Sequence, residues 1–274
     1  MKTWFITGVS RGLGLALAQA ALDRGDTVVG TVRSGAPPLN AGKGELHILP
    51  LEITDPAAVA AAVDKAFRLA GGRLDVVVNN AGHGLLGAIE DVTDAEALGL
   101  FAVDVFGPLR VIRAALPRLR AQGSGHIINV TSIAGRAPMA GSGLYAAAKF
   151  ALEGLSAVLA QEVAASGLKV TAVAPGAFRT DFLSDHSIRY SAAPGAHYEA
   201  VGQSLERLGD MAGRQIGDPA RAADALLEIV DAESPPTHLL LGSDALRRAR
   251  EKLGVLIAEI DQWEALTRST DYPA

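Results

Sequence analysis

The chain of 274 residues contains no cysteine. This absence excludes disulfide bonds and any zinc site built from thiolates, and we predict no metal site in the protein. The sequence also lacks an excess of positive charge, because its formal net charge is -5. We therefore expect no nucleic-acid-binding surface, and we interpret the basic stretch at residues 247–250 as the solvated face of a helix.

Long uncharged apolar runs are missing as well. No stretch of about 18 residues is both apolar and free of charge, which is the length needed to cross a bilayer. The first residues enter a strand directly, without the basic segment and apolar run of a secretion signal. We therefore expect a cytoplasmic protein that does not bind membranes.

What the sequence has is an alternation of strand-like and helix-like segments. Hydrophobic residues make up 49% of the chain, and no flexible linker divides it. We predict one Rossmann-type α/β domain over residues 1–274, with a doubly wound, seven-stranded parallel sheet and helices on both faces. The predicted strands are 3–7, 27–32, 46–53, 74–79, 126–131, 168–174 and 238–241. The predicted helices are 13–24, 56–70, 94–121, 143–166, 218–232 and 243–266, the third of them bent or divided by Pro108 and Pro117.

A glycine-rich turn follows the first predicted strand. Gly8, Gly12 and Gly14 stand between that strand and an apolar helix. Such spacing allows a tight turn, a close approach of the backbone to a pyrophosphate, and tight packing of helix on sheet. A glycine-rich turn can also be a simple chain reversal, but its place between strand and helix favours a dinucleotide site.

Three polar residues in the second half suggest acid–base chemistry. Tyr145 and Lys149 are four residues apart in a predicted helix, so they share one face. A phenol works as an acid or base near neutral pH only when a cation stabilises the phenolate, and Lys149 is placed to be that cation. Ser132 ends the preceding strand and can direct its hydroxyl at the same substrate oxygen.

These motifs together resemble the short-chain dehydrogenase/reductase family. The match runs in order through Thr7 to Gly14, Asn79-Asn80-Ala81-Gly82, Ser132, Tyr145, Lys149 and Pro175-Gly176. The resemblance implies a nicotinamide cofactor and reversible hydride transfer between a carbonyl and an alcohol. In this interpretation Tyr145 is the acid or base, Lys149 lowers its pKa and binds the nicotinamide ribose, and Ser132 steadies the carbonyl.

The resemblance also implies a set of cofactor-binding residues. Glu52 replaces the aspartate usual in the adenine-contacting segment, and Asn80 is expected beside the nicotinamide-side ribose. The implied set is Gly8, Ser10, Arg11, Gly12, Leu13, Gly14, Arg33, Glu52, Ile53, Asn80, Ala81, Gly82, Tyr145, Lys149, Pro175, Gly176, Phe178 and Thr180. The neighbouring His83 is interpreted as a polar surface group.

The end of the second strand bears on the choice of cofactor. An NAD site usually has a carboxylate there for the adenosine ribose, but this chain has Val32, followed by Arg33. Arg11 lies inside the glycine turn, so two guanidinium groups could flank a 2'-phosphate. We therefore expect NADP(H), although both arginines could also be ordinary exposed loop residues.

One position departs from the family pattern. Asp104 stands where the family has a catalytic asparagine, which helps to hold a water in a proton relay through the lysine. An aspartate can accept hydrogen bonds, but it cannot donate through an amide, and it adds charge near Lys149. Our hypothesis is that Asp104 keeps the relay working; the alternative is an enzyme that is slower or has a different pH dependence.

The last third of the chain suggests substrate binding and assembly. Residues 181–217 lack clear periodicity and contain Phe182, Tyr190 and Tyr198, which suggests a substrate lid for a moderately hydrophobic ketone or alcohol. The closing helix, 243–266, has an apolar stripe that packs either on its own sheet or on a second subunit. Because the family commonly forms dimers or tetramers, we expect a homodimer or homotetramer.

The sequence therefore predicts an NADP(H)-dependent oxidoreductase acting on a small carbonyl or alcohol. A second hypothesis is an NADP-binding sensor or scaffold with little turnover, which Asp104 would favour. The presence of both Tyr145 and Lys149 favours the enzyme. An epimerase or dehydratase of the related extended form is disfavoured by the spacing of the three glycines.

Overall fold

The computed structural model describes residues 1–184, 187–191 and 197–272. Within these residues, β-strands occur in nine places. In chain order they are β1 Thr3–Thr7, β2 Thr27–Val32, β3 Glu45–Pro50, β4 Val76–Asn79, β5 Gly84–Leu86, β6 Gly125–Val130, β7 Leu168–Pro175, β8 Ile188–Tyr190 and β9 His238–Leu241.

Seven of these strands form one parallel sheet, as predicted. Their spatial order is β3-β2-β1-β4-β6-β7-β9, and β5 pairs with β8 in a separate two-stranded parallel sheet. The chain thus builds outward from β1 to β3 and then restarts on the other side of β1 with β4. This reversal between β1 and β4 leaves a crevice at the carboxyl ends of the strands, where ligands bind in doubly wound sheets.

Helices cover both faces of the main sheet. They are α1 Gly12–Asp23, α2 Pro56–Leu69, α3 Asp94–Asp104, α4 Phe106–Gln122, α5 Gly143–Glu162, α6 Glu199–Met211, α7 Pro219–Asp231, α8 Ser243–Gln262 and α9 Glu264–Arg268. On one face α1 packs against α7, and on the other α2 packs against α4 while α5 packs on β7.

The alternation of side chains along each strand divides the core between the two faces. Phe5, Val77 and Ile127 join the layer under α2 and α4, whereas Trp4 and Ile128 join the layer under α1 and α7. All five side chains are fully buried. Successive residues of a strand point to opposite faces, and because both faces are covered, apolar side chains on both sides of the central strands are buried.

The predicted third helix is divided at a different place from the expected one. The break lies at Val105, between α3 and α4, and not at either proline. Pro108 falls in the first turn of α4, where a missing N–H costs little, and Pro117 is accommodated inside α4. The break places Asp104 at the end of α3, facing the crevice region.

The segment 181–217 was predicted to lack regular structure, and this prediction is wrong for much of it. It contains β8 and the three-turn helix α6. Only Val201 and Ser204 of α6 are buried, so the apolar periodicity is too sparse to indicate a helix. Residues 185–186 and 192–196 of this segment lie outside the described residues.

Helix α5 is long and apolar enough to span a membrane by length and composition. Here it packs on β7 and α3, and it carries the buried ionisable residues Lys149 and Glu153. In this structure it is therefore a central helix of the domain, and it supplies two of the predicted catalytic residues.

Candidate active site

A cleft of about 1190 Å³ opens at the carboxyl ends of the strands. It brings together nearly all the residues that the sequence predicted for the site. Those on its walls are Gly8, Ser10, Arg11, Gly12, Leu13, Arg33, Glu52, Ile53, Asn80, Ala81, Gly82, Ser132, Tyr145, Lys149, Pro175, Gly176, Phe178 and Thr180. Gly14 and Asp104 are buried behind the walls.

The glycine turn is held against the end of β4. The side-chain amide of Asn80 donates to the carbonyl oxygens of Thr7 and Gly8, at 3.0 and 2.9 Å. A Cβ on Gly14 would lie 2.3 Å from both Asn80 Nδ2 and Gly8 O, so only glycine fits there. The side chain of Asn80 thus fixes the turn, and was not predicted from the sequence to do so.

This turn has the properties that a pyrophosphate needs. Gly8 and Gly12 have φ angles of 75° and 62°, which glycine adopts readily. Helix α1 begins directly after Arg11, whose side chain does not cap it, so the first N–H groups of the helix can serve a ligand. The residues of the turn therefore fit a dinucleotide.

The end of β2 presents a basic side chain to the cleft, and no carboxylate. Val32 is buried, and Arg33 beside it is exposed on the cleft wall with Arg11. Glu52 accepts hydrogen bonds from the hydroxyl and N–H of Thr54, at 2.7 and 3.1 Å. These bonds lower the pKa of Glu52, and Arg33 adds to the effect, so the carboxylate stays ionised.

Ser132 lies where β6 ends and a short 3-10 turn, Ile133–Gly135, begins. Its hydroxyl accepts a hydrogen bond from the N–H of Ala134 at 3.1 Å, which fixes the side chain at the cleft wall. A Cβ on Gly135 would lie 2.9 Å from the carbonyl carbon of Lys149. The absence of a side chain at Gly135 therefore allows the turn to pack tightly on α5, close to the tyrosine and lysine.

Tyr145 is buried, with only 8% of its surface exposed. The ammonium nitrogen of Lys149 is 5.6 Å from the centre of its ring. Burial raises the pKa of Tyr145, while Lys149 and the hydroxyl of Ser132 lower it and the Asp104 carboxylate raises it again. The net direction is upward because burial outweighs the downward effect of Lys149, which has the direction that the sequence predicted.

Lys149 forms a buried ion pair with Asp104. Lys149 Nζ lies 3.1 Å from Asp104 Oδ2 and donates to the carbonyl oxygen of Val130 at 3.3 Å. Burial acts to lower the pKa of Lys149, but the Asp104 carboxylate and Tyr145 raise it, and the net direction is upward. The lysine therefore keeps its charge, although burial alone favours the neutral form.

Asp104 is held from its other side by His83. The backbone N–H of His83 donates to Asp104 Oδ1 at 3.0 Å, and His83 Nδ1 lies 3.5 Å from the same oxygen. Burial lowers the pKa of His83, more than Asp104 raises it. The interpretation of His83 as a surface group is wrong, since only 15% of its side chain is exposed.

The loop after β7 is positioned by a residue that sequence reasoning missed. Asp244, in the first turn of α8, accepts a hydrogen bond from the N–H of Ala177 at 2.9 Å, and a Cβ on Gly176 would lie 2.2 Å from Asp244 Oδ1. The sequence signal that could have identified Asp244 is a carboxylate that follows the end of β9, in the first turn of the next helix. Phe178 lines the cleft, while its ring also packs over Gly217.

The outer wall of the cleft comes from the segment predicted to be a lid. The ring centres of Phe182 and Tyr145 are 5.9 Å apart. Ile188 of β8, with Leu208 and Met211 of α6, continues the same wall. Apolar side chains of this segment therefore line the cleft that also contains the tyrosine.

Comparison with known proteins agrees with this arrangement. A model of the short chain dehydrogenase family matches residues 2–190. Among curated proteins, the chain is 38% identical over 270 residues to Oxidoreductase BOA17 of Botryotinia fuckeliana, covering 97% of this chain and 98% of that protein.

Solved structures show the same relationship. A short-chain dehydrogenase from Streptomyces avermitilis is 38% identical and superimposes with a TM-score of 0.88, over 99% of this chain and 100% of that one. A metagenomic short-chain oxidoreductase in complex with NADP is 28% identical, with a TM-score of 0.66 over 88% of this chain and 96% of that one. The chain therefore belongs to the short chain dehydrogenase family of oxidoreductases.

Proposed function

We propose that this protein is an NADP(H)-dependent oxidoreductase that interconverts a carbonyl and a secondary alcohol. The observation that carries the proposal is that Ser132, Tyr145 and Lys149 line the same cleft as the glycine turn. A nicotinamide bound in the cleft would supply or accept the hydride. The remaining tasks, proton transfer and orientation of the substrate, belong to residues of this chain.

In the direction of reduction, the Tyr145 hydroxyl gives its proton to the carbonyl oxygen. The Tyr145 hydroxyl is protonated at neutral pH, and the charge of Lys149 acts to lower its pKa and so assists the transfer of its proton. The hydroxyl of Ser132 donates a hydrogen bond to the same oxygen, and the charge of Lys149 stabilises the phenolate that forms. Oxidation needs the phenolate as a base and is therefore favoured at alkaline pH.

We further propose that the cofactor is NADP(H). Arg11 and Arg33 on the cleft wall can make charge-assisted hydrogen bonds to a 2'-phosphate, and Val32 leaves no carboxylate to repel it. The NADP complex of the metagenomic relative supports the same choice. The apolar wall around Phe182 favours a moderately hydrophobic substrate, with residues 181–217 serving as its lid.

A second candidate function is that of an NADP-binding sensor with little turnover. The buried ion pair favours it, because a lysine engaged by Asp104 is less available to the tyrosine and to a ribose. The two candidates share cofactor binding and differ in turnover.

One experiment separates them and tests the cofactor. The affinities for NADPH and NADH are measured by calorimetry at fixed ionic strength, and then NADPH consumption is followed across a panel of ketones and aldehydes. We expect a preference for NADPH of about tenfold or more, roughly 1.4 kcal/mol. Arg33→Ala should weaken NADPH binding and leave NADH binding unchanged, while Arg221→Ala, at an exposed position on α7, should change neither.

For turnover, Tyr145→Phe should bind NADPH as the wild type does and lose a factor of about 10² to 10⁴ in rate. Substantial turnover by this variant would contradict the role of the tyrosine. Binding of NADPH without turnover of any carbonyl by the wild type would favour the sensor.

A further inference from the structure

The C-terminal helix leaves the body of the protein after two turns. Ala245 and Ala249 are buried where α8 begins, but every residue from Glu251 to Tyr272 is exposed. The sequence left open whether this helix packs on its own sheet. The structure shows that its second half does not.

This projecting part carries a continuous apolar stripe. Its side chains are between 43% and 61% exposed and recur every three or four residues, so they lie along one side of the helix. They are Leu253, Leu256, Ile257, Ile260, Trp263 and Leu266. A helix of this length is marginal in water without a partner, and contiguous exposed apolar surface marks an interaction site.

The charges along the helix are separated by sign. Residues 247–252 contain four basic side chains and one acidic, whereas residues 259–264 contain three acidic and none basic. Between them, residues 253–258 carry no charge. Within the described residues, Arg250, Lys252, Glu259 and Asp261 form no ion pair, so these four charged groups remain available to a partner.

This pattern is complementary to itself in one orientation only. Two such helices side by side in parallel would place basic half against basic half and acidic half against acidic half. In antiparallel orientation each basic half faces an acidic half, and the two uncharged centres meet. A two-fold axis through the centres gives this arrangement, and two-fold symmetry is the commonest in homodimers.

We propose that residues 247–266 pair antiparallel with the same segment of a second copy of this chain, with the two-fold axis beside Leu256 and Ile257. This segment is about 30 Å long at 1.5 Å per residue, enough for several layers of interlocking side chains. The balance of basic and acidic residues argues against an anionic membrane as the occupant, because such helices are rich in lysine and arginine. The inference does not depend on the proposed catalytic function.

The first test uses a matched pair of substitutions. Ile260→Glu places a charge in the stripe, and Ile216→Glu places the same charge at an isoleucine of similar exposure, 65% against 61%, away from the helix. Masses are measured by light scattering after size exclusion, with circular dichroism to confirm folding. We expect Ile260→Glu to halve the mass of the wild-type assembly and Ile216→Glu to leave it unchanged. A monomeric wild type, or an Ile260→Glu variant that keeps the wild-type mass, overturns the proposal.

The second test addresses charge complementarity and orientation. Arg250→Glu with Lys252→Glu makes both halves acidic, and Glu259→Lys with Glu264→Lys makes both halves basic. Each double variant alone should lose the contact, and a one-to-one mixture should recover the wild-type mass with one chain of each kind; a mixture that fails to recover it overturns the proposal. The chain with all four substitutions should keep the wild-type mass and should not pair with the wild type, whereas preferential pairing of these two chains would show parallel helices and overturn the proposal. Co-sedimentation of the wild type with vesicles of phosphatidylcholine and phosphatidylglycerol, abolished by Ile260→Glu, would instead identify a membrane as the occupant and overturn the proposal.

Discussion

At the scale of single residues, the charge of Asp104 sets the electrostatics of the site. Its carboxylate is fully buried, contacts Lys149 and is fixed by the backbone of His83. A buried carboxylate beside the catalytic pair stabilises the ammonium and opposes formation of the phenolate. An asparagine at the same position would keep a hydrogen-bonding partner for Lys149 and remove the charge.

We therefore predict that Asp104→Asn shifts the pH profile of kcat/KM towards lower pH. Asp104 raises the pKa values of Tyr145 and Lys149, so without its charge the phenolate forms at lower pH. Oxidation should begin at lower pH, and reduction should also be lost at lower pH. The rate at the optimum should stay within about tenfold of the wild type, ~1.4 kcal/mol in the barrier.

The measurement is kcat/KM against pH in both directions, with Asp104→Ala as the comparison that removes the hydrogen-bonding partner as well. Total loss of activity in Asp104→Asn would contradict the hypothesis that the two residues are near equivalents. An unchanged profile would show that the carboxylate does not influence the titrating group.

The identities of the site residues could be predicted from sequence better than their contacts. The spacing of Tyr145 and Lys149 and the order of the glycines place these residues on one cleft. The ion pair with Asp104 and the burial of Tyr145 depend on packing between α3 and α5, which are distant in sequence. The sign of the net pKa shift follows from that packing, so sequence could not give it.

At the scale of secondary-structure elements, the contact between the 3-10 turn and α5 positions the catalytic groups. Gly135 lies against the backbone of Lys149, and Gly154, which is on α5 nine residues after Tyr145, faces open space. The two glycines therefore offer a matched test of close packing.

Gly135→Ala should destabilise the protein by about 1 to 3 kcal/mol, because the new methyl group meets backbone that cannot move aside cheaply. It should also lower kcat, since the turn carries Ser132 away from Tyr145. Gly154→Ala should instead stabilise the protein by roughly 0.5 to 1 kcal/mol and leave kcat unchanged. Urea unfolding and steady-state kinetics check both; equal effects of the two substitutions would contradict the packing argument.

Elements with strong apolar patterns were predicted well, and those with weak patterns were missed. The seven strands of the main sheet are rich in apolar residues and stand out in the sequence. Strands β5 and β8 have three residues each, too few for a pattern to show. The break at Val105 precedes Gly107 and Pro108, which lie in the first turn of α4, so its exact position follows only from the fit of α3 and α4 to their neighbours.

At the scale of the whole molecule, His126 couples the stability of the fold to pH. It is buried in β6, where its Nε2 is 2.8 Å from the hydroxyl of Thr171. Burial lowers its pKa from 6.5 to about 4, and the charges of Lys169 and Lys2 act in the same direction. Between these two pH values, His126 therefore binds a proton in the unfolded chain but not in the folded chain.

We predict that the free energy of unfolding falls by about 3 kcal/mol from this residue as pH drops from 6.5 to 4. Stability from this source is complete above 6.5 and is lost on acidification. Urea unfolding as a function of pH measures it, comparing the wild type with His126→Asn and with His197→Asn at an exposed position. The plot of unfolding free energy against pH should have a smaller slope in His126→Asn only. Equal slopes in all three proteins would contradict the prediction.

The chain has only two tryptophans, and they lie at opposite extremes of exposure. Trp4 is fully buried, with its indole N–H donating to Asp26 at 2.9 Å, and Trp263 on the projecting helix is 57% exposed. Their fluorescence should therefore separate into a blue component from Trp4 that iodide cannot quench and a component from Trp263 that is red and quenchable in the unpaired chain, as in Ile260→Glu, and is shielded where the last helix is paired. The first reports the integrity of the sheet and the second the surroundings of the last helix, so the unlabelled protein carries an optical signal for each.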